Sequence, residues 1–217
     1  ICFFHFNMTK VYVESYGCSL NHSDTEVLVG LLVESGYEIV NEFSEADLII
    51  INSCIVKKPT LTKLYKRLKI FCDKKIVLCG CVVRGFLETE DFEIIKKYSV
   101  ITPKQLDNII EVVEKTLDGK IVHFVEDKKL DRLRLKHKRK SDIIEIIPIS
   151  EGCLGNCSYC KTKKARGELR SYNSELILEK VNVAVKEGVR EIWITAQDTG
   201  AYGKDKITSD FKINKQN

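Results

Sequence analysis

Short runs of aliphatic and β-branched residues alternate along this chain with stretches whose apolar positions recur at helical spacing. That alternation predicts parallel βα units, each strand followed by a helix that covers the sheet, rather than a sandwich or a helical bundle. Lys10–Ser15 is the first predicted strand. After it, Ser23 and Glu26 have the spacing of a capping box for a helix that presents Val27, Gly30 and Leu31 and stops at Gly36. Asp47–Ile51 and Lys75–Cys79 are the next strands. Between them a helix opens at Pro59–Thr60 and carries Leu61, Leu64, Tyr65, Leu68 and Phe71 on one face. Val100–Thr102 is a short strand, Thr102–Pro103 a helix start ahead of Leu106, Ile109, Ile110 and Val113, and Ile121–Val125 completes a five-stranded sheet.

Lys128–Lys140 breaks this pattern. Eight of its residues are Lys or Arg and it lacks core periodicity, which places a linker there. A second unit follows: strand Ile143–Ile149, a capped helix Ser174–Glu187 ended by Gly188, and strand Glu191–Ala196. The expected organisation is an extension over 1–8, a parallel-sheet α/β domain over 9–126, a basic linker over 127–141, one βαβ module over 142–205, and a polar tail over 206–217. A barrel begun at Ile143 has only its first two strands here, so the chain reads as truncated.

Composition narrows the classes. At 217 residues with 44% hydrophobic content, the chain can bury an ordinary core. A net charge of +4 is mild for a nucleic-acid binder, so the distribution of charge matters more than its sum. Ile1–Asn7 is apolar and aromatic but lacks the basic leader and cleavage site of an export signal. No segment approaches the roughly 18 consecutive apolar residues of a membrane span. The expectation is a cytoplasmic protein without a membrane partner. Nine cysteines in such a setting are more often metal ligands than disulfides.

The cysteines fall into two constellations. Cys153, Cys157 and Cys160 form a C-x3-C-x2-C run directly after a buried-looking strand. Three thiolates on one loop can hold three irons of a cubane and leave the fourth open, where S-adenosylmethionine can be chelated and reductively cleaved to an adenosyl radical. Structural zinc is the other metal reading, although a good fourth ligand is missing. Cys18, Cys54 and Cys81 are dispersed in sequence, but each follows a predicted parallel strand. Loops at the carboxyl ends of such strands converge on one edge of the sheet, so the three can share one cluster. The plainer reading is that they are small buried residues. Cys79 lies within its strand and is read as core, and Cys2 and Cys72 have no such placement.

In this order, Gly17-Cys18-Ser-Leu-Asn21, Asn52-Ser-Cys54, Gly80-Cys81, the Cys153–Cys160 run, Arg166-Gly-Glu-Leu-Arg170-Ser171 and Gln197-Asp-Thr-Gly-Ala-Tyr-Gly203 resemble the radical S-adenosylmethionine methylthiotransferases. The resemblance runs from about Lys10 to Asp205. It implies a Rossmann- or flavodoxin-like N-terminal methylthiotransferase domain, the first βαβ part of a radical barrel, and a barrel remainder and RNA-binding TRAM domain outside this chain. It implies two [4Fe–4S] clusters, the sulfur-handling one on Cys18, Cys54 and Cys81 and the radical one on Cys153, Cys157 and Cys160, with S-adenosylmethionine as both methyl donor and radical source.

The same resemblance puts Tyr159 near the adenine of that ligand and brings Gln197 and Asp198 toward ligand or substrate. A hydrogen-bonded strand cap is the other reading of both polar residues. Arg166 and Arg170 would meet cofactor or RNA charge, or make surface salt bridges. The Gln197–Asp205 stretch is most like the archaeal and eukaryotic branch, which acts on N6-threonylcarbamoyladenosine beside the tRNA anticodon. The rival substrates are isopentenyladenosine in tRNA and an aspartate of a ribosomal protein. The implied partners are tRNA, an electron donor and a separately encoded barrel-and-TRAM portion. Lysines and arginines of the linker and of the Pro59 helix (Lys63, Lys66, Arg67, Lys69) are candidate phosphate contacts or solvated faces. A non-catalytic iron–sulfur module and a zinc-bound RNA-binding protein are the competing classes.

Overall fold

The computed structural model describes residues 8–206 apart from 88 and 90, so the apolar start with Cys2 and the tail beyond 206 lie outside the described residues. Strands β1 (Lys10–Tyr16), β2 (Glu38–Val40), β3 (Leu48–Ser53), β4 (Lys75–Cys79), β5 (Ser99–Ile101) and β6 (His123–Phe124) form one sheet in the order β2-β1-β3-β4-β5-β6. Every pairing in it is parallel. Helices α1 (Ser19–Glu34), α2 (Lys58–Ile70), α3 (Cys81–Phe86), α4 (Phe92–Ile95) and α5 (Ile109–Leu117) connect the strands.

The central strand β3 shows why the run Leu-Ile-Ile-Ile is continuous rather than alternating. Ile49 and Ile51 pack with Leu64, Leu68 and Phe86 on one face. Leu48 and Ile50 pack with Leu28, Leu32 and Val113 on the other. A parallel strand covered on both sides needs apolar residues at every position.

The structure departs from expectation at several ends. Strand β2 is an additional edge strand; its three residues, Glu-Ile-Val, are too few to declare a period. Helix α1 starts at Ser19 with Cys18 as its N-cap residue, and Ser23 and Glu26 are buried inside it rather than forming a capping box. These polar residues lie on a face of α1 that packs against the second unit, so burial, not helix initiation, is what they serve. Thr102 makes no side-chain cap, and a 3₁₀ turn over Pro103–Asn108 precedes α5. The last strand is shorter than Ile121–Val125.

The basic linker is not a solvated tether. Leu130, Arg132 and Leu133 are buried. The Lys138 N–H donates to the Glu26 carbonyl at 2.8 Å, and the Lys140 N–H to Glu26 Oε1 at 3.1 Å. The chain crosses α1 so closely that a Cβ on Gly30 would lie 2.5 Å from the His137 Cα. In the second unit, β7 (Ile144–Pro148) pairs in parallel with β10 (Glu191–Thr195). Between them run β8 (Ser150–Glu151), α6 (Lys161–Arg166), β9 (Arg170–Ser171) and α7 (Ser174–Lys186). The β8–β9 pair is antiparallel and closes the base of the loop that carries Cys153, Cys157 and Cys160. Trp193, Ile194, Leu178 and Val185 remain exposed on this unit.

Glu145 of β7 ties the linker down, accepting from His137 Nε2 and Arg139 Nη1, each at 2.9 Å. Burial pushes its carboxyl up, but the bonds from His137 and Arg139 outweigh burial and hold it below the usual range. A carboxyl lowered by folding stabilises fully above its unfolded value of about 4.3, and loses that contribution as pH falls through the folded value. Glu145→Gln should therefore flatten the acid side of a plot of melting temperature against pH. An unchanged acid slope would show that this carboxylate does not link the linker to the sheet.

Candidate functional site

The carboxyl edge of the large sheet gathers the first three cysteines. Cys18 follows β1, and its thiol points at Asn21 Oδ1, 3.7 Å away. Cys81 follows β4 as the first residue of α3, and its thiol lies 3.6 Å from the same oxygen. Cys54 follows β3, its sulfur accepts the Val56 N–H at 3.4 Å, and its Cβ lies 3.0 Å from where a Cβ on Gly17 would stand. Cys81 and Cys54 are buried, whereas Cys18 is exposed, so one side of the set opens to solvent. Cys79 is fully buried in β4 among the core residues that include Val77 and Ile101. Burial drives its thiol well above the usual range.

Two asparagines, quoted in the sequence motifs but given no role there, form the floor. The Asn52 Nδ2 group donates to the Asn21 carbonyl at 2.7 Å and to Thr25 Oγ1 at 2.8 Å, while Asn21 Nδ2 donates to Asn52 Oδ1 at 3.3 Å. Both side chains are buried. Gly80 is required here twice over: its φ is +92°, and a Cβ would lie 2.2 Å from Asn52 Oδ1.

The second triad sits on the loop between β8 and α6. The Gly155 N–H donates to Cys153 Sγ and the Lys163 N–H to Cys160 Sγ, both at 3.3 Å, which makes Cys160 the side-chain cap of α6. A Cβ on Gly155 would touch both Cys153 Sγ and Cys157 Sγ, so these sulfurs flank one glycine. Tyr159 is 85% exposed, and its hydroxyl is held above its usual pKa by a hydrogen bond with Cys157. Gln197 Oε1 accepts the Gly152 N–H at 2.7 Å and so fixes the entry to the loop. Asp198 is exposed and precedes the turn Thr199–Ala201, which it does not cap through its side chain.

Between the triads lies a cluster that the sequence reading missed. Arg166, expected at a surface or against ligand charge, is buried. It donates from Nε to Cys81 Sγ at 3.1 Å, from Nη1 to Glu151 Oε1 at 3.0 Å, and from Nη2 to Asn21 Oδ1 at 3.2 Å and Asp24 Oδ2 at 2.5 Å. Arg132, buried as well, pairs with Asp24 at 2.6 Å. Burial pushes Glu151 up, and Arg132 and Arg166 outweigh it, holding the carboxyl below the usual range. Burial raises the Cys81 thiol to about 11, with Arg166 pulling it down. Arg170, the other motif arginine, donates to the Leu130 carbonyl and lies over the Tyr172 ring. On α2, Arg67 is engaged by Glu14 and stacks on Phe71, leaving it fewer donors for phosphate.

Among the described residues, no three His, Cys, Asp or Glu side chains converge closely enough to hold a single metal ion. A cubane takes its thiolates on different irons, so its ligands need not share one point. Two sets of three thiols, one around Asn21 and one on a single loop, fit that requirement in donor chemistry.

In fold the chain is similar to two solved structures of a radical S-adenosylmethionine methyltransferase. The solved methyltransferase TsrM from Kitasatospora setae, with tryptophan and a S-adenosylmethionine analogue bound, matches 88% of this chain and 48% of its own at a TM-score of 0.54. A second TsrM structure, with cobalamin and a [4Fe–4S] cluster, matches at 0.55 over 88% and 49%. At 11% identity these likenesses concern fold alone.

Sequence goes further. Residues 10–101 match the family described as Uncharacterized protein family UPF0004. The chain is 42% identical over 213 residues to the threonylcarbamoyladenosine tRNA methylthiotransferase of Danio rerio, covering 94% of this chain and 38% of that protein. It is 39% identical over 211 residues to the probable enzyme of that name in Pyrococcus horikoshii, covering 95% and 49%. With the human protein the figures are 42% over 205 residues, 90% and 35%. The chain is thus similar to the N-terminal portion of these methylthiotransferases and spans half or less of their length.

The placement of Cys79 and Cys81 on either side of Gly80 generates a test. Cys79→Ala removes a buried core side chain and should lower stability while leaving iron uptake after anaerobic reconstitution unchanged. Cys81→Ala should lose one cluster's worth of iron. The reverse result would make Cys79 the ligand.

Proposed function

We propose that this chain supplies both cysteine triads of a tRNA methylthiotransferase that converts N6-threonylcarbamoyladenosine beside the anticodon to its 2-methylthio derivative. The observation that carries this reading is the meeting of Cys18 and Cys81 on Asn21, from loops far apart in sequence, with Cys54 beside them. Residues 9–126 are the sulfur-handling domain in this proposal, 127–141 the connection, and 142–205 the first part of the radical domain. Cys18, Cys54 and Cys81 hold one [4Fe–4S] cluster and Cys153, Cys157 and Cys160 the other. When bound, the second supplies the electron that cleaves S-adenosylmethionine and the first a site for the sulfur to be transferred.

The chain's own residues bind and orient. Tyr159 stands exposed beside Cys157, where a planar adenine can pack. Gln197 fixes the Gly152 backbone ahead of Cys153, and Asp198 is exposed next to it in the chain. A cleft of about 650 Å³ opens beside Arg166, where Lys128, Lys129, Lys163 and Lys164 stand among Asp127, Glu151 and Glu168, with Lys128 paired to Asp107 and Lys163 to Glu168. The names of the relatives support tRNA as partner. An electron donor and the residues that follow in those relatives complete the reaction. A cytoplasmic location accords with free thiols, and no helix among the described residues is long and apolar enough to cross a membrane.

Anaerobic reconstitution should give two clusters per chain by iron and sulfide analysis. Each triple-alanine variant, one at Cys18, Cys54 and Cys81 and one at Cys153, Cys157 and Cys160, should retain half the iron. Full iron in either variant would overturn that ligand set.

Turnover is a separate matter. Radical transfer needs the adenosyl group held against one C–H bond, and displacement by about 1 Å can cost orders of magnitude. With β7–β10 as the one parallel strand pair among the described residues of the second unit, this chain alone should give no repeated turnover on tRNA bearing threonylcarbamoyladenosine, as read by mass spectrometry of its nucleosides. Adding a polypeptide that supplies the remaining barrel and TRAM portion should restore it. Repeated turnover by the chain alone would refute the need for that portion.

A further inference from the structure

We propose that Arg166 is a positioning residue for Cys81, and that helix α6 joins the two cysteine triads through it. The inference rests on the reading of Cys81 as a cluster ligand. One end of α6 is Cys160, whose sulfur caps the helix by accepting the Lys163 N–H. The other end is Arg166, whose Nε–H reaches Cys81 Sγ at 3.1 Å. Six helical residues span about 9 Å, so a small change in the seating of Cys160 is carried to Arg166 with little slack.

The guanidinium is held from several directions. Asp24 and Asn21 take Nη2 from the sheet domain, and Glu151 takes Nη1 from β8. Arg132 pairs with Asp24 and, at 3.7 Å, with Glu151, and the Tyr172 hydroxyl donates to Glu151 at 3.3 Å. With Nη1 held by Glu151 and Nη2 by Asn21 and Asp24, the plane of the guanidinium is fixed, and that plane puts the Nε–H on the Cys81 sulfur. A planar guanidinium can aim a donor in this way, whereas an ammonium at the same place supplies charge without the fixed fork. Hydrogen bonds to a cluster's sulfurs raise its reduction potential. Arg166 therefore gives the sheet-edge site a potential that depends on the loop holding the other site.

The test uses the full chain with Cys153→Ala, Cys157→Ala and Cys160→Ser, serine keeping a cap for α6, so that Cys18, Cys54 and Cys81 alone bind iron. Iron analysis comes first. Failure to take up one cluster would overturn both the ligand reading and this inference. Given the cluster, protein grown with guanidinium-¹⁵N arginine should show a weak ¹⁵N coupling in pulsed electron paramagnetic resonance of the reduced state. Arg166→Lys should abolish the coupling and shift the potential downward. Arg132→Lys should retain the coupling, and Asp24→Asn, which weakens the same buried network but leaves Nε–H, should shift the potential less. The wild-type arginine measurement does not depend on any Arg166 variant folding. Absence of ¹⁵N coupling in a sample with full iron, or equal shifts in Arg166→Lys and Asp24→Asn, would reduce Arg166 to a structural residue.

Discussion

A guanidinium with no surface in water must find its partners inside the protein, and Arg166 finds them in two parts of the chain at once. Asp24 and Asn21 come from the first helix of the large sheet, and Glu151 from the short strand ahead of the second cysteine loop. Removing one member would leave an uncompensated buried charge, which costs about 3–5 kcal/mol. The two halves of the molecule are thus bound by a requirement of charge neutrality as well as by packing. Arg132 extends this requirement to the linker, which is why a stretch rich in lysine and arginine does not simply float in solvent.

That network explains features that look odd element by element. Helix α1 buries Asn21, Ser23, Asp24 and Glu26, a set no ordinary amphipathic helix would turn inward. Three of the four have a reason in what they meet: Asn21 the two thiols and Asn52, Asp24 the two arginines, Glu26 the linker backbone. Ser19 meets Thr195 of β10 at 2.6 Å, a further tie between the sheet domain and the second unit. The cysteine triads consequently lie on either side of one polar seam, and their relative placement follows from the same contacts that hold the fold together.

The sheet itself was plain in the sequence, because fully buried parallel strands must be apolar at consecutive positions and the chain between them must be helical. Leu48–Ser53 and Lys75–Cys79 carry that signal strongly. Edge strand Glu38–Val40 does not, since three residues at a sheet margin bury little. Helix ends were the least legible: a serine and a glutamate three residues apart have capping spacing whether they start a helix or are buried within one, as Ser23 and Glu26 are.

By itself, the sequence determined which thiols were candidates. Spacing placed Cys153, Cys157 and Cys160 on one loop, and the position of Cys18, Cys54 and Cys81 after parallel strands brought them to one edge, both being local or topological facts. Only the tertiary structure decided what surrounds them. Arg166 reaches Cys81 across 85 residues and Asp24 across 142, and no periodicity encodes a pairing at that separation. Whether an arginine is a surface charge or the centre of a buried network depends on which faces the packed units present to each other, and that is settled only when they meet.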